Sequence, residues 1–264
     1  MASLLSNLNA ITIGVLSLIV TTTVVPATEG VPSSVTDWEK IWTGVLTRNV
    51  DPVGRIDFAS FVRDHADLDK VVGFVALNDP VSRPDMFPDE NARLAYYINA
   101  YNALAMHGVV DAGVPESLGG LRKITFFYLR TFNVGGKQIS LYDLENKVIR
   151  PMKEERIHFL LNCMVVSCPR LPRTAVSPDN LEGRLDAAAR AFIGESRNVQ
   201  IDLGAREVRL SAIFKFYTED FTGHAPSLIG YINRYRTDRI PEDFKVRFLD
   251  YDWTVNARRA TTER

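Results

Sequence analysis

Apolar positions along the chain recur at helical spacing more often than in alternation, and the pattern predicts a mostly helical molecule. Trp38, Ile41, Trp42 and Val45 mark a first helix, with Thr36 or Ser34 available as its cap. A turn and a short extended piece follow at Gly54-Arg55-Ile56-Asp57-Phe58. A second helix then carries Leu68, Val71, Val72, Phe74, Val75 and Leu77 and ends at Asn78-Asp79-Pro80. The strongest signal spans 89–110, where Leu94, Tyr97, Ile98, Tyr101, Leu104 and Ala105 form a stripe for burial.

Extended segments are expected at 125–129 and 131–134 before a Gly135-Gly136 turn, and at 156–162, where His158 and Asn162 share a face. A hairpin is expected from 199–203 and 207–210 around Gly204, with a last strand at 246–249. Ser140, three residues before Asp143, opens a helix that should stop at Pro151. Ser177-Pro178 opens another through Leu181, Leu185, Ala188 and Phe192, and Ser211 and Pro226 begin two short ones. Helices and strands do not alternate. The expected fold is therefore α+β: a mainly helical single domain with a small, mostly antiparallel sheet.

Residues 11–25 (ITIGVLSLIVTTTVV) fall outside this pattern, for they carry no charge and lead into small residues at Val25 and Ala27. That is the shape of a secretory signal, although no Lys or Arg precedes the run. The run is shorter than the roughly 20 residues of a spanning helix. The resulting division is a signal peptide at 1–27, a linker at 28–35, a globular domain at 36–257 and a polar tail at 258–264. The expectation is an exported, secreted protein with no stable membrane span after signal removal. The alternative is a protein anchored to the membrane through an uncleaved N-terminal segment.

Composition changes the picture in two ways. With 46% hydrophobic and 24% charged residues the chain can build a sizeable core. Its 31 basic and 32 acidic side chains leave a net charge of -1, which offers no long-range attraction to phosphate backbones. Nucleic acid is excluded as a partner on that ground. No Gly-rich phosphate loop, metal-binding helix or nucleophile elbow is present, so neither a metal nor another cofactor is expected. Nothing in the pattern speaks to oligomeric state.

Three segments could carry chemistry. Asn99 and Asn102 lie one turn apart on the long helix beside Tyr101, either as polarising donors at a cleft or as a buried amide network. Glu145 follows the Ser140/Asp143 cap and could orient a histidine, or could simply be solvated. His158, Cys163 and Cys168 fall within eleven residues, and Cys163 and Cys168 are the chain's only two cysteines. A thiolate with His158 as base, a Cys163–Cys168 disulfide and a metal site all remain open for them, although the spacing matches no standard zinc motif.

NAYNAL, a Gly turn followed by ISLYDLEN, and RIHFLLNCMVVSCPRL occur in that order. Together with FKFYTEDF and the closing YDWTVN, they resemble the signature blocks of the domain-of-unknown-function 547 family, from about Trp38 to Asn256. The resemblance points to Asn99, Tyr101, Asn102, Glu145, His158, Cys163 and Cys168 as site positions and implies no established activity. Family members often carry Glu-His where this chain has Glu145-Asn146. If that histidine is the base elsewhere, His158 must serve here.

The residues suggest a cysteine-dependent hydrolase or acyl transferase acting on an amide or ester in a small-molecule or peptide substrate. A thiolate at Cys163 or Cys168 would attack, His158 would act as base with Glu145 orienting it, and Asn99 and Asn102 would hold the oxyanion. The alternative is a secreted non-catalytic binding or structural module with a Cys163–Cys168 disulfide.

Overall fold

The computed structural model describes residues 30–258. The expected signal peptide, and the tail after Arg258, lie outside the described residues. The fold is mainly helical with two small sheets. Among the described residues no helix is long and apolar enough to cross a membrane.

Helix α1 (Val35–Asn49) begins at Ser34, whose hydroxyl accepts from the Asp37 N–H, so Ser34 and not Thr36 is the cap. It packs on α3 (Ala66–Leu77), which packs in turn on α4 (Glu90–Asp111), and α2 (Phe58–Arg63) also touches α4. Trp38 stacks on Phe74 at 5.1 Å and donates its indole N–H to Val71 O. Helix α4 is buried on nearly all sides, which its alanines permit by letting neighbouring backbones approach closely.

Strands β1 (Thr131–Val134) and β2 (Lys137–Ser140) form a hairpin docked on the C-terminal end of α3. There the N–H groups of Gly135 and Gly136 donate to Val75 O and Ala76 O. Gly135 has φ +55°, and a Cβ on it would lie 2.4 Å from the Asp79 side chain, so only glycine fits the turn.

Beyond α5 (Leu181–Gly194), strands β3 (Val199–Asp202), β4 (Glu207–Leu210) and β5 (Lys245–Phe248) make a mixed sheet. The expected hairpin is β3–β4. The last strand joins it in parallel, so among the described residues two of the three strand pairings are antiparallel. A second apolar cluster around Phe159, Phe192, Phe214, Phe221 and Tyr231 fills the space beside this sheet.

Two expected strands are helical instead. Residues Ile124–Leu129 form a π-helical turn in which Phe126 and Phe127 are buried together, a pairing that strand alternation cannot give. Residues Glu155–Phe159 form a 3₁₀ turn. From Ile157 to Asn162 every side chain is buried, so the apparent period of two carried no facing information. The helix opened by Ser140 also changes character. After Leu141–Asp143 it widens into a π-helical turn at Leu144–Ile149 and passes Pro151 as a 3₁₀ turn ending at Met152.

The chain's last described stretch is a strap laid back across the first core. Val255 N donates to Glu116 O, Val166 N to Thr254 O, Asn256 N to Met164 O and Arg258 N to Ile56 O. This strap brings Tyr251 and Trp253 to the seam between the two apolar clusters.

Candidate functional site

At that seam lies an open cleft of about 350 Å³. The two π-helical turns form one flank, contributing Phe127 and Tyr128 from the first and Glu145 and Asn146 from the second. π-Helical turns are rare and concentrate at functional sites, because the extra residue in the turn re-aims side chains. Phe216 and Tyr217 form the facing side, and Tyr251 and Trp253 enter from the strap. Tyr128 and Tyr142 stack on each other at 4.4 Å, each more than a third exposed.

Glu145 is 8% exposed and sits deep in this cleft. Its Oε2 accepts from Tyr101 Oη at 3.2 Å, and its Oε1 accepts from Tyr217 Oη. Burial pushes the phenols of Tyr101, Tyr217 and Tyr251 up, and the Glu145 charge adds to that, so all three remain protonated donors near neutrality.

The carboxylate on His158 is not Glu145. His158 Nε2 lies 2.7 Å from Asp220 Oδ2, and Arg150 forks onto the same carboxylate with two bonds of 2.8 Å. Burial opposes ionisation of Asp220, but the hydrogen bonds and charges of His158 and Arg150 outweigh it and hold the carboxyl well below its usual range. The ring of Tyr217 lies over the imidazole at 3.7 Å between centroids, and the His158 side chain is 1% exposed. Asn146 Oδ1 accepts from Arg150 Nη1 at 2.6 Å and its amide donates to Tyr142 O, so this side chain is committed within the cleft wall.

Cys163 and Cys168 both line the cleft, with their sulfurs 2.03 Å apart, at disulfide distance. Their loop is held by a chain of amides. Asn102 donates to Leu160 O at 3.0 Å and accepts from Asn162 N at 2.7 Å. Asn162 in turn donates to Pro169 O and accepts from Met164 N, which closes the loop that carries both cysteines. Met164 has φ +63°, uncommon for a residue with a Cβ. Tyr251 Oη lies 3.2 Å from each sulfur.

Of the expected site residues, Tyr101, Glu145, His158, Cys163 and Cys168 converge on the cleft. Asn99 and Asn102 line none of it. Asn99 donates to Val176 O at 2.6 Å and accepts from Val176 N at 3.0 Å. Both amides are committed to backbone, the network option of the two the sequence left open. The residues not singled out individually are Lys123, Arg150, Tyr217, Asp220, Tyr251 and Trp253. Four of these lie in the FKFYTEDF and YDWTVN blocks, so the signal was present as a motif but not as a role. Among the described residues no group of three or more His, Cys, Asp or Glu side chains is placed to hold a metal ion.

Residues 85–193 match the family model described as Protein of unknown function, DUF547. That span carries Asn99, Tyr101, Asn102, Glu145, His158 and both cysteines, whereas Tyr217, Asp220, Tyr251 and Trp253 lie beyond it. No curated protein and no solved structure matches the chain.

Proposed function

We propose that this protein, the carrier of a DUF547 domain, is an exported binding module whose aromatic cleft takes a small organic or peptide ligand. The observation that carries the reading is an open, aromatic-walled cleft whose two cysteines stand at disulfide distance, leaving no thiolate to act as nucleophile. Lys123 Nζ stands 4.7 Å from the Trp253 ring centroid at this cleft, and among the described residues it has no carboxylate partner. Arg150 is committed to Asp220 and Glu145 to two tyrosines, so Lys123 is the cation available to a ligand. Flat walls and one cation suit a ligand with a planar apolar body and an acidic group. Bridged cysteines are also what an oxidising compartment favours, in keeping with export.

Anilinonaphthalene sulfonate has both features and serves as the probe. Titration of the native full chain should give saturable binding at one site, lost in Trp253→Ala and weakened in Lys123→Ala. Absence of saturable binding, or equal binding by Trp253→Ala, would overturn the reading.

The hydrolase reading has one observation in its favour, the convergence of Cys163, Cys168, His158 and Glu145 on the same cleft. It requires release of a thiol and displacement of Tyr217 from the His158 ring. Turnover of a nitrophenyl ester that appears only after reduction and vanishes in His158→Ala would support it. Equal turnover by His158→Ala would end it.

A further inference from the structure

The bridge in the cleft is chemically asymmetric. Cys163 is half-buried, while Cys168 is only 3% exposed. Cys168 Sγ accepts from the backbone N–H of Cys163 at 3.1 Å, and it shares the Tyr251 hydroxyl with Cys163 Sγ. Cys168 therefore has two donors in reach and Cys163 has one. In thiol–disulfide exchange the accessible sulfur is attacked, and the sulfur whose thiolate is better stabilised departs faster. Both criteria select attack at Cys163 and departure of Cys168.

We propose that the Cys163–Cys168 bridge is a thiol-exchange site, which receives an external thiol on Cys163. The incoming thiolate sulfur bonds to Cys163 Sγ, the Cys163–Cys168 bond breaks, and its electron pair passes to Cys168 Sγ. The Cys163 N–H and the Tyr251 O–H hold that new thiolate. A second external thiolate then attacks the external sulfur of the mixed disulfide, so Cys163 leaves as a thiolate and the reductant departs as its own disulfide. Two electrons move from two external thiols to the bridge, and the protons those thiols lost on ionising balance the protons the two cysteines take up from solvent.

The charges around the site indicate which thiols it favours. Glu145 lines the same cleft and opposes a thiolate there. Against it, Lys123 and Arg150 line the cleft, and Arg197 bonds the loop carbonyls of Val166 and Cys168 at 3.0 and 3.3 Å. An anionic thiol of peptide size, with a carboxylate to meet Lys123, fits this setting better than a neutral one. A cleft that binds no aromatic probe could still exchange thiols, and one that binds the probe could keep its bridge closed, so the two proposals fail separately.

The test uses the oxidised full chain with reduced glutathione, trapped by excess maleimide and mapped by peptide mass. The expected pattern is glutathione on Cys163 and maleimide on Cys168. Tyr251→Phe should slow native-state opening roughly tenfold, the rate equivalent of one hydrogen bond to a charged group, while wild type and variant open alike in denaturant. Glutathione on Cys168, an even distribution, or opening only at the rate of global unfolding would overturn the proposal. The mapping needs no variant, so a folding defect in Tyr251→Phe would not shelter it.

Discussion

Asn99 and Asn102 lie within two residues of Tyr101 on α4, yet the two sets of polar atoms are used differently. The amides meet backbone: each donates to a carbonyl and accepts from an N–H in the segment running from Leu160 to Val176. Tyr101 meets only a side chain, Glu145, in a cleft that is open to solvent. A side chain satisfied by backbone at both ends fixes where a segment lies, and losing it strands groups that have nowhere to turn. A side chain bonded to others around a solvent-filled space can exchange partners when a ligand arrives. The amide-stitched interior builds the site, and the cleft is what it builds.

The largest expected effect comes from breaking the interior. Asn102→Ala strands the buried Leu160 carbonyl and Asn162 N–H and should cost about 3 kcal/mol. It should weaken probe binding as well, since the cysteine loop hangs from Asn162. Urea unfolding checks the first effect and titration the second. Opening the bridge is expected to matter less. Its loop is short, and the chain-entropy model gives about 2 kcal/mol, readable as the difference between urea curves with and without reductant.

Two carboxylates sharpen the contrast through pH. Glu39 is half-buried, and burial first, then the charge of Asp179, pushes its carboxyl from 4.5 to about 7. A raised carboxyl pKa means that the folded state favours the neutral form. Its contribution is then fully present below pH 4.5 and is lost as pH rises through about 7. Glu39→Gln should accordingly raise the melting temperature more above that pKa than near 4.5, and an equal shift at both would contradict the assignment. Asp220 has donors and behaves oppositely. Its stabilisation is present above its ordinary 3.8 and is lost only as pH falls toward its lower folded value. The smallest stability change belongs to the cleft cation. Lys123→Ala should leave stability within about 0.5 kcal/mol, while weakening the anionic probe.

The long helix, the caps at Ser140 and Ser211, and the β3–β4 hairpin were legible because local chemistry decides each of them, while the first cap was narrowed only to Thr36 or Ser34. The Phe126-Phe127 run and the 156–162 segment were not. Aromatic and β-branched residues favour strands, but here packing against two cores overrode that preference and buried neighbouring side chains together. In the site, Tyr101, Glu145, His158 and the cysteines were legible as residues. Their pairing was not, since the carboxylate on His158 comes from Asp220, 62 positions further along the chain. In the sequence Asn162 reads only as one face of a strand, although it closes the loop that holds both cysteines.

The separation of a building interior from a binding cleft is tested most directly by measuring unfolding midpoint and probe affinity together in Asn99→Ala and Lys123→Ala. Asn99→Ala should lose stability by about 2 kcal/mol or more, with the affinity of the folded fraction nearly unchanged. Lys123→Ala should keep its stability and lose affinity. If stability and affinity fall together in both variants, or if Asn99→Ala loses affinity alone, the interior and the cleft are not the separate devices described.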